Sequence, residues 1–343
     1  MLTNTLPRFP SDIPTAPLLR LSLSKLQSHD ITETHRLLQA CEEIGFFYLD
    51  LQDTNIGNNL LTLSDELFST TENLFSLSLD EKRKYVFTYP NCHHGYRIHS
   101  AGVVDREGIF DVNELYNISK TDILNLTPPL PAPPLLHLIR PTLKSFIHTS
   151  HSIITLLLTL LNSSLSLPDA TLPKLHSLTA LNDDQVRFVK SSSLSQPSST
   201  PKIGRQTDFS SLAILFSRPG GLQVLPPGQG AEWAYVEPLP GHVIVNLGDA
   251  MAKFTKGMLL PSVYRVVRLP GEPEGYSLGY CVGVEDEIIS RKKRELRERK
   301  EKKKKRENRE REERQRREKE SRVSIERQRK ERRERRERRE KMS

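Results

Sequence analysis

The stretch GRQTDFSSLAILF, residues 204–216, has the outline of a metal site with its first ligand missing. Asp208 follows Gln206 by two positions, and on a strand that spacing turns both side chains to one face. A histidine at position 206 would pair an imidazole with a carboxylate. Those are two of the three ligands that hold a ferrous ion while leaving positions open for small molecules. Gln206 supplies only a neutral amide oxygen, a weak donor for iron.

Other candidate groups carry less. Cys92, His93, His94 and His99 crowd into NCHHGYRIHS, but no spacing among them matches a zinc site. His148 and His151 lie three apart on a predicted helix without an acid pair beside them, which reads as surface. His242 precedes the apolar run VIVNL. The glycines of RPGGLQV resemble a phosphate loop superficially, and a tight turn between two strands is the simpler account.

The elements that would position these residues fall into two textures. In THRLLQACEEIG the residues Leu37, Leu38, Cys41 and Ile44 recur at helical spacing and Gly45 stops the helix before the strand FFYLD. A longer helical stretch runs through LLTLSDELFSTTENLFSLSLDEKRKY, and an apolar helix is predicted between Leu135 and Leu165, after the turn PPLPAPP. From Val186 onward short apolar runs alternate with Gly and Pro: VRFVK, SLAILF, GLQVL, EWAYVEPL, HVIVNLGD, YRVVRL and YSLGYCV. Such a run of short strands predicts an antiparallel sandwich or barrel. The polar stretch SSSLSQPSSTP reads as a loop within it.

The chain has 343 residues, 36% of them hydrophobic, enough for an enzyme-sized core. No segment reads as a signal peptide or a membrane span. Cys41, Cys92 and Cys281 lie far apart, which suits a reducing compartment and a cytoplasmic location. The net charge of +8 hides opposite halves. Residues 291–343 carry 29 Lys and Arg against 14 Glu, whereas the remainder has 22 basic and 29 acidic residues. In the tail, Glu precedes a base by four positions repeatedly, as in Glu301/Lys305 and Glu334/Arg338, which supports an isolated charged helix. A disordered basic arm is the competing reading.

The ordered series ACEEIGFFYLD, HGYRIHSAG, DVNELYNIS, QTDFSSLAILFSRPGGLQVLPPG, EWAYVEPLPGHVIVNLGDAMAKFTKG and SVYRVV resembles the isopenicillin N synthase-like Fe(II)/2-oxoglutarate-dependent dioxygenases. The resemblance covers roughly residues 21–285. It implies a mostly β fold with flanking helices, a double-stranded β-helix or jelly roll. It also implies an N-terminal helical and strand region (1–180), a jelly-roll core (181–289) and a charged tail outside the family pattern (290–343). The implied cofactors are Fe(II) and 2-oxoglutarate, and the implied substrate is a small molecule of secondary metabolism.

The family holds iron with His-x-Asp and a later His-Arg-Val. The matching residues here are Gln206, Asp208 and Tyr264, so Asp208 alone survives. The family's Arg-x-Ser, which grips the co-substrate carboxylate, reads Gly275-Tyr276-Ser277 and keeps only Ser277. No co-substrate tyrosine is evident in RFVKSSSLS. The resemblance therefore implies an oxidoreductase by descent whose catalysis is impaired or lost. The alternative is a non-catalytic binding protein, a pseudoenzyme, whose basic tail meets an acidic partner or nucleic acid through phosphate contacts.

Overall fold

The computed structural model describes residues 9–86, 93–97, 113–191, 207–228, 230–267 and 274–284. The first elements are β1 (Arg20–Ser22), α1 (Leu23–Gln27), α2 (Ile31–Glu43) and β2 (Phe46–Asp50). The carboxylate of Asp30 caps α2 by accepting the Glu33 amide at 2.7 Å, and Leu37, Ala40 and Cys41 form its buried face. The helix ends at Gly45, whose φ is 73° and whose missing Cβ leaves room for the Leu260 carbonyl. A Cβ there would lie 2.3 Å from that oxygen. The predicted helix, glycine stop and strand are all present.

Next come α3 (Asn55–Ser76), capped by the Thr54 hydroxyl, α4 (Leu79–Arg83), β3 (Gly95–Arg97) and β4 (Asn113–Ser119). They are followed by α5 (Lys120–Ile123), α6 (Pro134–Leu138), α7 (Arg140–Ser164) and α8 (Thr171–Leu175). The apolar helix predicted over 135–165 is thus α6 and α7 in succession. The remaining elements are β5 (Gln185–Ser191), β6 (Leu212–Ser217), β7 (Leu222–Val224), β8 (Ala234–Tyr235), β9 (His242–Leu247), α9 (Asp249–Phe254), β10 (Tyr264–Val266) and β11 (Gly275–Val282).

Eight strands form one sheet in the order β1-β2-β9-β6-β11-β5-β4-β3, antiparallel apart from the β1–β2 pair, and β10-β7-β8 form a small second sheet. The large sheet takes strands from both sides of residue 180. The RPGGLQV glycines turn the chain from β6 in the large sheet to β7 in the small one, as the turn reading expected.

Period-two alternation divides the large sheet's faces. Leu278, Tyr280 and Val282 of β11, with Val186 and Phe188 of β5, join the core under the helices. There Phe75 of α3 stacks on Tyr276 at 6.4 Å, and Phe146 of α7 meets Phe216 at 6.3 Å. On the other face Phe46, Tyr48 and Ile244 pack against Leu222 and Val224 of the small sheet. The strand texture after Val186 therefore becomes a helix-flanked jelly roll. Among the described residues no helix is long and apolar enough to cross a membrane.

Two polar features sit inside this core. Lys120 is fully buried, and its ammonium donates to Asp184 Oδ2 (2.9 Å), Asn182 Oδ1 (2.8 Å) and the Ala180 carbonyl (3.1 Å). Asp184 Oδ1 accepts the Gly283 amide at 2.7 Å, so the group clasps the ends of β4, β5 and β11 together. The surface reading holds for His148, which is exposed, and must be corrected for His151, which is buried with Nδ1 3.3 Å from the Tyr280 hydroxyl. Position 151 falls on the stripe of α7 that faces the sheet, so its neighbours are Ile147, Ile154 and β11 rather than water.

Candidate functional site

Asp208 lies just before β6, where its backbone runs against the start of α9. The Asp249 amide donates to the Asp208 carbonyl at 2.8 Å. Gly248 permits this approach, because a Cβ there would stand 2.0 Å from the Ser210 carbonyl and 2.7 Å from that of Asp208. Tyr264 opens β10 on the opposing sheet, paired with Val224 and set edge-on to Phe46 at 6.3 Å. Its hydroxyl donates to Asp208 Oδ1 at 2.9 Å.

The second carboxylate oxygen is also engaged, since Asn246 on β9 donates to Asp208 Oδ2 at 2.9 Å. Asn246 is held in turn by Ser262, whose hydroxyl donates to the Leu247 carbonyl at 2.7 Å. Burial pushes the Tyr264 phenol well above its ordinary pKa, and the Asp208 charge adds to the shift. The phenol is therefore a neutral donor, and both Asp208 oxygens already accept hydrogen bonds from protein side chains. Of the three positions that the sequence put together, the structure joins Asp208 and Tyr264. Gln206 lies outside the described residues.

Around this pair are groups that sequence reasoning missed. Cys281 faces the same interior, and burial pushes its thiol up to about 11, with the nearby Arg187 charge pulling it down and the Asp208 and Asp184 charges pushing it up. Arg187 donates through Nε to Asn117 Oδ1 at 3.2 Å. Alternation was the signal available for all three. Arg187, Asn246 and Cys281 occupy the positions of VRFVK, HVIVNLGD and YSLGYCV opposite the helix-facing apolar residues.

Of the two positions that the sequence resemblance assigned to the co-substrate, Gly275 opens β11 against Pro219, and a Cβ there would meet Pro219 Cγ at 2.3 Å. The Ser277 hydroxyl lies 3.3 Å from that of Ser217, which donates to the Pro219 carbonyl at 3.1 Å. The space beside position 275 thus holds a proline, and Ser277 lies against Ser217 of the neighbouring strand.

The other candidates stand apart. His242 opens β9 with Nδ1 at 2.8 Å from the Pro240 carbonyl, four residues or roughly 13 Å along the strand from Asn246. His93 accepts the Asn117 side-chain amide at its carbonyl, and burial lowers the pKa of His94. Cys92, His99, the polar stretch 192–201 and the charged tail lie outside the described residues. Among the described residues no three His, Cys, Asp and Glu side chains converge as a metal-binding group.

A large and a small sheet packed face to face, with helices outside and Asp208 and Tyr264 meeting between them, define the jelly-roll oxygenase architecture. Residues 16–132 match the N-terminal domain described as non-haem dioxygenase in morphine synthesis, and residues 176–281 match the 2OG-Fe(II) oxygenase superfamily. A 2-oxoglutarate-dependent dioxygenase of Aspergillus fumigatus is 32% identical over 293 residues, covering 77% of this chain and 74% of the relative. One from Gibberella zeae is 29% identical over 281 residues, covering 80% and 82%. Among solved structures, the dioxygenase for auxin oxidation in rice superimposes with a TM-score of 0.61 at 23% identity, over 79% of this chain and 84% of that one. This chain belongs to the 2-oxoglutarate and Fe(II)-dependent dioxygenase family.

Proposed function

We propose that this protein keeps the family's barrel as a binding scaffold and has lost its iron-dependent oxidation. The observation that carries the reading is the engagement of Asp208 by Tyr264 and Asn246, both at 2.9 Å. Ferrous iron needs unoccupied carboxylate and imidazole lone pairs on one side of the ion. Here the group that meets the carboxylate from the second ligand position is a protonated phenol instead of an imidazole, Asn246 holds the other oxygen, and position 206 offers an amide. That donor set does not fit Fe(II).

The co-substrate pocket supports the same reading. The far carboxylate of 2-oxoglutarate calls for a guanidinium, and position 275 carries no side chain and faces Pro219 where one would begin. Loss at the metal and at the co-substrate together fits relaxed selection on catalysis better than retuning of it. The family's usual substrates, small organic molecules of secondary metabolism, remain the class of ligand that this reading assigns to the barrel.

The test is turnover. The full chain, supplied with Fe(II), ascorbate, oxygen and 2-oxoglutarate, is expected to form no succinate above a protein-free control. Iron-dependent succinate formation, with or without a co-oxidised substrate, would overturn the proposal and restore the ordinary oxygenase reading.

A further inference from the structure

The inner face of the large sheet is built in register rows. Across β4, β5, β11 and β6, Asn117, Arg187, Gly279 and Leu215 stand opposite one another, and the next row holds Gln185 and Cys281. By alternation both rows turn away from the helices and toward the small sheet.

The space in front of the first row is hollow. Arg187 and Leu215 are only half-buried, although they stand between two sheets. Gly279 contributes no side chain, and a Cβ there would meet nothing closer than the Ile214 carbonyl at 3.4 Å.

Two polar side chains face this hollow. Arg187 brings a guanidinium, oriented by the 3.2 Å hydrogen bond from its Nε to Asn117 Oδ1. Gln185 is 9% exposed, and its side-chain oxygen is sealed from solvent without a hydrogen-bond partner. Buried polar atoms in folded proteins nearly always have partners, and water does not reach this one, so the oxygen calls for a donor that the fold itself lacks.

The charges nearby decide what else the occupant carries. The Asp208 carboxylate is met by the neutral donors Tyr264 and Asn246. At Cys281, beside Gln185, burial raises the thiol, and among the charges that act on it the pull of Arg187 is larger than the push of either Asp208 or Asp184. Arg187 is thus the strongest charge acting there, and a guanidinium matches a carboxylate. The donor for Gln185 must then be neutral, because an ammonium would stand beside that guanidinium. Gln185 and Arg187 lie two residues apart on β5, about 7 Å, a span that a short carbon chain covers.

We infer that the hollow between the sheets binds a small hydroxy acid, its carboxylate on Arg187 and its hydroxyl on Gln185. The inference rests on the reading that iron is lost, since a ferrous ion at Asp208 would compete with Arg187 for the carboxylate.

The probes are 3- and 4-hydroxybutyrate, their amides, and butyrate, titrated into the full chain in EDTA and followed by ligand-observed NMR. The better hydroxy acid should bind about ten- to a hundredfold more tightly than its amide, the ratio that a hydrogen bond to a charged group gives, and about three- to tenfold more tightly than butyrate. Arg187→Gln should erase the preference for acid over amide, and Gln185→Leu the preference for the hydroxyl. Gln185→Leu removes an amide whose oxygen bonds to nothing in the fold, so it folds whether or not Arg187→Gln does. Gly279→Leu fills the hollow and should abolish binding of every probe. No saturable binding of either hydroxy acid overturns the proposal. So does a preference that survives its variant, or binding that survives Gly279→Leu in a folded chain. The same affinities are expected with Fe(II) in place of EDTA. Binding that needs Fe(II) would overturn both this inference and the loss of iron, whereas no binding in either medium would overturn this inference alone.

Discussion

Tyr264, which opens β10 of the small sheet, and Asp208, just before β6 of the large one, meet in a 2.9 Å hydrogen bond. The pair ties the two sheets together. Removing the phenol oxygen leaves a carboxylate with one partner fewer in a partly buried place. Tyr264→Phe is therefore expected to cost about 1–2 kcal/mol in urea unfolding. An unchanged midpoint would show that the contact contributes nothing.

Placing histidines at positions 206 and 264 tests metal binding apart from co-substrate binding. Gln206→His with Tyr264→His should give a variant that binds Fe(II) stoichiometrically under anaerobic conditions yet forms no succinate. Calorimetry and a succinate assay on the same sample check both halves. Failure of the double variant to bind iron would mean that position 206 does not face Asp208.

Gly275→Arg alone should not restore the co-substrate site. Its Cβ would stand 2.3 Å from Pro219 Cγ, and such overpacking costs about 1–3 kcal/mol. Adding Pro219→Gly should recover part of that loss in a thermal melt. If Gly275→Arg melts like the parent, the proline gives way more easily than its contacts suggest.

Acid should weaken the fold through His151. Its folded pKa is lowered from an ordinary 6.5 to about 4, mainly by burial and further by the Lys120 charge. Between these values the unfolded chain binds a proton that the folded chain refuses. Stability therefore falls as pH drops from about 6.5 to about 4, by up to ~1.4 kcal/mol per pH unit. His151→Gln should flatten the pH dependence of the unfolding free energy by one proton's worth, and an equally steep profile in the variant would assign the slope elsewhere.

The buried clasp gives a further test. Lys120→Met strands the Asp184 carboxylate without its cation and is expected to cost about 3–5 kcal/mol. Lys120→Met with Asp184→Asn removes the orphaned charge and should be more stable than the single variant. A double variant no better than the single one would mean that packing around Lys120, and not charge, sets the loss.

The parts of this fold that repeat were legible in the sequence. α2 and its glycine stop follow from helical spacing, and β5, β6, β9 and β11 follow from short apolar runs between turns. The frame of the site was readable because Asp208 and Tyr264 sit in ordered motifs. Alternation could turn Asn246 to the barrel face, but its bond to Asp208 was not legible, because a hydrogen bond between residues 38 positions apart leaves no periodic trace. Lys120 and His151 were missed for a related reason. A lysine in the polar run NISKTD and a histidine among serines and threonines read as surface until the sheet that buries them is built.

The most direct test of the central claim is an anaerobic Fe(II) titration of the full chain, with and without 2-oxoglutarate, followed by calorimetry. With Asp208 engaged by Tyr264 and Asn246, no saturable binding at one equivalent is expected, and 2-oxoglutarate should not change the isotherm. One-to-one iron binding that tightens with 2-oxoglutarate would contradict the account.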